Sequence, residues 1–174
     1  MSAIDFRYFP DVFADIVSKV REVYDPTGLA MPIFKYGTYL ELVASTKFDD
    51  DNGNIKYPLV WLVWDSFENT ENWLEQDQLY EISPRIFICA RVDSMDENTD
   101  TCITKYFKPI LRPILTELIR QVFFHDNVES YIINKYKKND HAHWGENYTN
   151  KLFDQLSAIE ITFEKLRIMK NVVC

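Results

Sequence analysis

Glycine is scarce in this chain: 174 residues hold four, Gly28, Gly37, Gly53 and Gly145, and none cluster. Phosphate-cradling loops and dinucleotide-binding turns need closely spaced glycines, so both patterns are excluded. There is no G-x-S-x-G elbow for a nucleophilic serine either. Cysteine is rarer still. Cys89, Cys102 and Cys174 are odd in number and widely spaced, which rules out a disulfide framework and reads as reduced thiols in an intracellular setting. No stretch approaches the ~20 apolar residues of a membrane span. No secretory leader is expected, because Asp5, Arg7 and Asp11 interrupt any apolar start. Positive charge is in deficit as well, with 19 Lys and Arg against 27 Asp and Glu, a net charge of −8. A basic stripe for gripping nucleic acid is missing, and an anionic membrane surface is disfavoured. An acidic surface does permit DNA to pass without sticking.

What is abundant is apolar and aromatic: 47% hydrophobic and 15% aromatic residues. That composition specifies a folded globular chain, and the length fits one domain over 1–174. The richest stretch is Phe34 to Asp65, FKYGTYLELVASTKFDDDNGNIKYPLVWLVWD. Asn52-Gly53 suits a type I′ turn, so two long strands joined as a hairpin are expected, with Ala44 opposite Trp61 and Leu42 opposite Val63. The second strand is apolar on both faces. Leu59, Trp61 and Val63 share one, and Val60, Leu62 and Trp64 the other. Leaving the second face in water would forfeit ~1.5–3 kcal/mol per side chain. A helix of this chain or another copy of it must therefore cover that face.

Elsewhere, Phe9, Phe13, Ile16, Val17 and Val20 recur at helical spacing over Pro10 to Tyr24. Leu79 to Val92 reads as a third long strand with an edge or bulge at Pro84. Ile103 to Phe124 is helical in pattern, and Pro109 and Pro113 imply a short first turn, a break and then a main helix. Residues 127–138 fit either a short strand or a helix end, and Asp140 to Asn150 reads as a loop. Ile159, Ile161 and Phe163 alternate with polar residues before the phase shifts to Leu166 and Ile168. That shift marks a bulge or a strand passing between two environments. The expected class is α+β, a mostly antiparallel sheet with a long hairpin and two main helices packed on it.

Candidate chemistry is sparse. Asp49-Asp50-Asp51-Asn52-Gly53 has the look of a calcium loop, but its register puts Phe48 and Leu59 at ligand positions, so a solvated hairpin tip is the better reading. His141 and His143 flank Ala142, with His125 upstream, and no Cys or Glu completes a zinc set. A small metal-dependent hydrolase built on His125, His141 and His143 is one alternative. A host-protein-binding adaptor using the hairpin edge for strand addition is another. Lys135, Lys137 and Lys138 form a small basic cluster beside Tyr131 and Tyr136.

Five stretches taken in order carry a resemblance: Lys56–Asp65 (KYPLVWLVWD), Ser83–Asp93 (SPRIFICARVD), Tyr106–Val122 (YFKPILRPILTELIRQV), His143–Gly145 (HWG) and Leu156–Ile168 (LSAIEITFEKLRI). Together they resemble the neck and tail-terminator (tail-completion) proteins of tailed bacteriophages. The resemblance implies an α+β fold, no catalytic residues and no cofactor or metal. It also implies a closed ring of copies, sixfold or twelvefold, at the head–tail junction of the virion, assembled in the host cytoplasm. Its partners would be the portal or connector above and the tail proteins below, with DNA passing through the lumen unbound and no membrane involved. The residues expected at such contacts are Asp50, Asn52 and Gly53 at the hairpin tip, Val60, Leu62 and Trp64 on the second face, and Trp73 and Trp144 in the polar loops.

Overall fold

A computed structural model describes residues 9–24, 31–47, 57–63, 79–93, 97–129, 136–144 and 156–169. The first element is helix α1 (Phe9–Tyr24), which buries Val12, Phe13, Ile16, Val17 and Val20, the stripe its sequence spacing predicts. Strand β1 (Ile33–Gly37) follows, then helix α2 (Tyr39–Lys47) and strand β2 (Leu59–Val63). The long hairpin is therefore corrected. Its first arm is only β1, its remainder is a helix, and β1 pairs with β2 in parallel rather than antiparallel. Trp61 lies beside Lys35 and Phe87, not beside Ala44. The Asp49–Gly53 tip lies outside the described residues.

Helix α2 starts for a local reason that its sequence contains. Thr38 and Glu41 form a capping box: the Thr38 backbone N–H donates to Glu41 Oε2 at 2.7 Å, and the Glu41 N–H donates to Thr38 Oγ1 at 3.3 Å. Gly37, just before it, is held between two neighbours at φ +155°. A Cβ there would stand 2.6 Å from Glu41 Oε2 and 3.0 Å from Trp61 Cζ2. The Trp61 indole N–H also donates to the Gly37 carbonyl at 3.2 Å. Strand, turn and helix are thus fixed to one another by two side chains.

Strands β3 (Leu79–Ile82) and β4 (Arg85–Arg91) come next, divided at Ser83-Pro84. Then α3 (Thr99–Cys102), capped by Asn98, runs without interruption into a π-helical stretch (Ile103–Leu111) and on into α4 (Arg112–Phe124). The expected break near Pro109 is instead this widened π segment. It accommodates a residue with no N–H to give. Pro113 follows in the first turn after the π segment, within the same continuous helix, and like Pro109 it has no N–H to give to the preceding turn. Strand β5 (Tyr136–Trp144) replaces the expected loop from Asp140, and β6 (Leu156–Phe163) and β7 (Leu166–Met169) close the order.

The main sheet is β1-β2-β4-β6-β5, antiparallel except for β1 with β2, and β3 and β7 form a separate two-stranded ribbon. The fold class is α+β. The shift of phase after Phe163 is a change of sheet, and β3–β4 makes the same change at Pro84 directly opposite. The Phe163 N–H donates to the Pro84 carbonyl at 3.1 Å, and Ser83 Oγ donates to the Glu164 carbonyl at 2.6 Å.

One face of the sheet packs Val60, Leu62, Ile86, Ile88, Ile159 and Ile161 against α1, the π-helical stretch and α4. The other packs Leu59, Trp61, Val63, Phe87, Cys89 and Ala158 with Leu42 of α2, and Tyr39 and Tyr57 at the margin. Both faces of β2 are therefore covered within the chain. Truncating Leu62, fully buried, to Ala should cost ~2–5 kcal/mol in urea denaturation of the full chain. Gly37→Ala should cost ~1–3 kcal/mol because of its backbone and neighbours, and Thr38→Ala about 1 kcal/mol through the lost cap. Equal stability of wild type and all three variants would show that this packing is wrong.

Candidate functional site

The residues expected at contacts scatter. Val60 and Leu62 lie in the helix-covered core, 1% and 0% exposed, so they offer no surface to a neighbour. The sequence left open whether a helix or a second copy hides that face, and α1 does so. Asp50, Asn52, Gly53, Trp64 and Trp73 lie outside the described residues. Trp144 closes β5 opposite Leu156, beyond a register shift that begins at His141.

The histidines also separate. His125, at the end of α4, is buried against α1. Its Nε2 lies 3.0 Å from Asp15 Oδ2, and its Nδ1 accepts the Asn127 backbone N–H at 3.1 Å. Nδ1 is thus the acceptor and Nε2 carries the proton that Asp15 receives, so both ring nitrogens are engaged. His141 stands on the opposite face of the sheet, on β5 across from Ala158. The structure does not bring these two together. Among the described residues no three His, Cys, Asp or Glu side chains converge as metal ligands would. His143 lies on β5 two residues beyond His141. Cys89 and Cys102 are buried and in no disulfide, and burial pushes the Cys89 thiol far above its ordinary range, away from reactive thiolate.

One polar cluster in the sheet was not assembled by sequence reading. On the α2 side of the sheet, Glu160 of β6 receives Arg85 Nε at 2.6 Å on Oε1 and His141 Nε2 at 3.1 Å on Oε2. Arg85 in turn lies over the Phe87 ring at 4.9 Å and the Tyr39 ring at 5.7 Å, tying α2 to the sheet. Burial pushes the Glu160 carboxyl up, but hydrogen bonds from His141, Arg85 and Asn139 and the Arg85 charge outweigh it. The group is held below the usual carboxylate range. Both oxygens of Glu160 accept hydrogen bonds from these neighbours. The cluster links three strands and a helix: β4, β5 and β6 through Glu160, and α2 through Arg85 over Tyr39.

Beside it runs the most exposed strand of the sheet. Tyr136, Lys137, Lys138, Asn139 and Asp140 of β5 are all exposed, although they alternate between the two faces. β5 pairs with β6 on one side, and among the described residues no strand pairs on its other side. The signal in the sequence is the run of lysines and polar residues itself, which edge strands favour. A second exposed feature is a shallow, open depression on α4 lined by Thr116, Ile119, Arg120, Phe123 and Phe124.

No protein-family model matches this chain, and no curated protein matches it.

The Glu160 cluster has a pH signature. A carboxyl with a lowered folded-state pKa contributes stability above its unfolded value, near 4.5, and loses it as pH falls through the folded value. Glu160→Gln should therefore be less stable than wild type at neutral pH, and the gap should close as pH falls below the ordinary carboxylate range and through the lowered folded-state value. Urea midpoints measured across that range check it, and a gap independent of pH would contradict the ion network.

Proposed function

We propose that this protein is a non-enzymatic structural component of a tailed-bacteriophage virion. In this reading it forms a homo-oligomeric ring at the head–tail junction and joins portal or connector to tail while DNA passes through. Two things support the reading. Four of the five stretches that resemble neck and tail-terminator proteins fall on the framework of the fold: β2, β4, the π-helical stretch with α4, and β6 with β7. A likeness spread over a scaffold, and not over a reactive site, is what a structural role leads one to expect. The single observation that carries it further is the open sheet. Strands β1 and β5 are different edges of one sheet, each with a single strand partner among the described residues. A head-to-tail ring needs two unlike surfaces on each copy, joined by a rotation that closes. The contact thus shifts from the sheet face, which α1 and α2 cover, to the sheet's margins.

The charge agrees with a lumen that DNA slides through. The described residues hold 14 acids and 14 bases, so the net −8 rests in the remaining 13 acids and five bases of the chain. A chain of net charge −8 repels phosphate on balance and does not retain it.

The test is the oligomeric state of the full chain, by native mass spectrometry and sizing at micromolar concentration, alone and with isolated portal and tail complexes. A closed assembly of six or twelve copies is expected, templated by the complexes if absent without them. A strict monomer under both conditions would refute the ring.

A further inference from the structure

We infer that His125 is a proton-sensitive latch. A second proton, taken up at Nδ1, releases the turn at 125–128 and with it the tie between the end of α4 and the β3–β7 ribbon. The inference is independent of the ring reading and concerns a device inside one copy of the chain.

Three consecutive backbone donors hold the turn. The Asn127 N–H donates to His125 Nδ1 at 3.1 Å, the Val128 N–H to the His125 carbonyl at 2.9 Å, and the Glu129 N–H to the Arg167 carbonyl at 3.0 Å. The last of these fastens the turn to β7, together with the Val128–Ile168 bridge and the Glu129–Arg167 ion pair at 3.7 Å. Asn127 and Val128 are 5% and 6% exposed, so a donor that loses its acceptor here has little water to turn to. The first bond differs from the other two in its acceptor. A carbonyl accepts at any pH, whereas a ring nitrogen accepts only while it carries no proton.

Asp15 is what lets the buried ring take a second proton. Nε2 stands 3.0 Å from Asp15 Oδ2 and donates to it in the neutral and in the charged ring alike, so the carboxylate offsets the new charge and no bond is lost on that side. The cost falls at Nδ1, where two N–H groups would point at each other across 3.1 Å. Among the described residues, the other charged groups about the ring come from α1, from the turn and from β7. Lys19 of α1 lies 3.7 Å from the same Asp15 oxygen and weakens its pull; Asp126, next in the chain, is exposed and screened by solvent; Glu129 and Arg167 are paired with each other. These act through charge and leave the conflict of donors at Nδ1 as it is. When the turn swings away, the Nδ1 proton meets water in place of the Asn127 N–H. Acid therefore populates the open turn, as protonated histidines bias two-state elements in general.

The experiment follows the full chain from about pH 8 to about pH 5, the span over which histidine side chains change charge. Nitrogen NMR of isotope-labelled histidine reads the protons on the ring, with His125 identified by its absence from the His125→Gln variant. Hydrogen exchange, corrected for the intrinsic effect of pH, reads the amides of Asn127, Val128 and Glu129. At the upper end the proton should sit on Nε2 alone. As Nδ1 gains its proton, the three amides should lose protection together, by about tenfold, the loss of one buried hydrogen bond, while amides inside α1 keep theirs. In His125→Gln their protection should not depend on pH. A neutral ring with its proton on Nδ1 overturns the latch. So does a ring that stays neutral throughout, or one that charges while the three amides remain equally protected. The same pH-dependent loss in a folded His125→Gln variant also overturns it, and the wild-type measurements decide the matter by themselves if that variant does not fold.

Discussion

Strand β2 sets the terms for everything around it. Five consecutive residues, Leu59 to Val63, are all buried, so the strand must be covered above and below. An antiparallel strand at the surface of a small sheet buries one face and wets the other. β2 cannot, and the chain answers with a helix on each side. α1 comes before it in sequence and lies on the Val60–Leu62 face; α2 also comes before it and supplies Leu42 to the Trp61 face. The parallel pairing of β1 with β2 follows from the same need. A helix placed between two neighbouring strands returns the chain to the same end of the sheet, so the second strand runs the same way as the first.

This explains which parts of the fold were legible in the sequence. α1 was readable because one face is buried and the other wet, so Phe13, Ile16, Val17 and Val20 fall at helical steps. β6 was readable as a strand because half-buried Glu160 and Thr162 alternate with buried Ile159, Ile161 and Phe163, and β4 because Ile86 to Ala90, all buried, form a short apolar run. α2 was not, for two reasons. The Asn52-Gly53 pair argued for a hairpin turn, and Leu42, Val43 and Ala44 are an apolar run that strand and helix patterns share. The decisive mark was four residues earlier, in Thr38-Tyr39-Leu40-Glu41, where a hydroxyl and a carboxylate stand at capping distance. β5 was missed for the opposite reason. It has no buried alternate residues over Tyr136 to Asp140, so it carries no period of two, only the lysines typical of an edge.

The polar network around Glu160 was illegible for a different cause. Arg85, His141 and Glu160 lie far apart in sequence, and only the register of three strands brings them together. Nothing local to any of them announces the others. The histidine pair that the sequence did offer, His141 with His143, is divided by a register shift, whereas His125 belongs to the helical layer across the sheet. Spacing along a chain is a good guide to chemistry only where one element holds all the ligands.

The double crossing at Pro84 and Glu164 has a mechanical meaning. β3 continues into β4 and β6 continues into β7, so the small ribbon is joined to the main sheet by two adjacent covalent strands. Across the ribbon, Arg167 and Lys165 clasp Glu81, keeping the two strands abreast. A tug on the ribbon therefore draws β4 and β6 lengthwise at the same time. Their ladders with β2 and β5 are strained all at once in shear, instead of being unzipped bond by bond from one end.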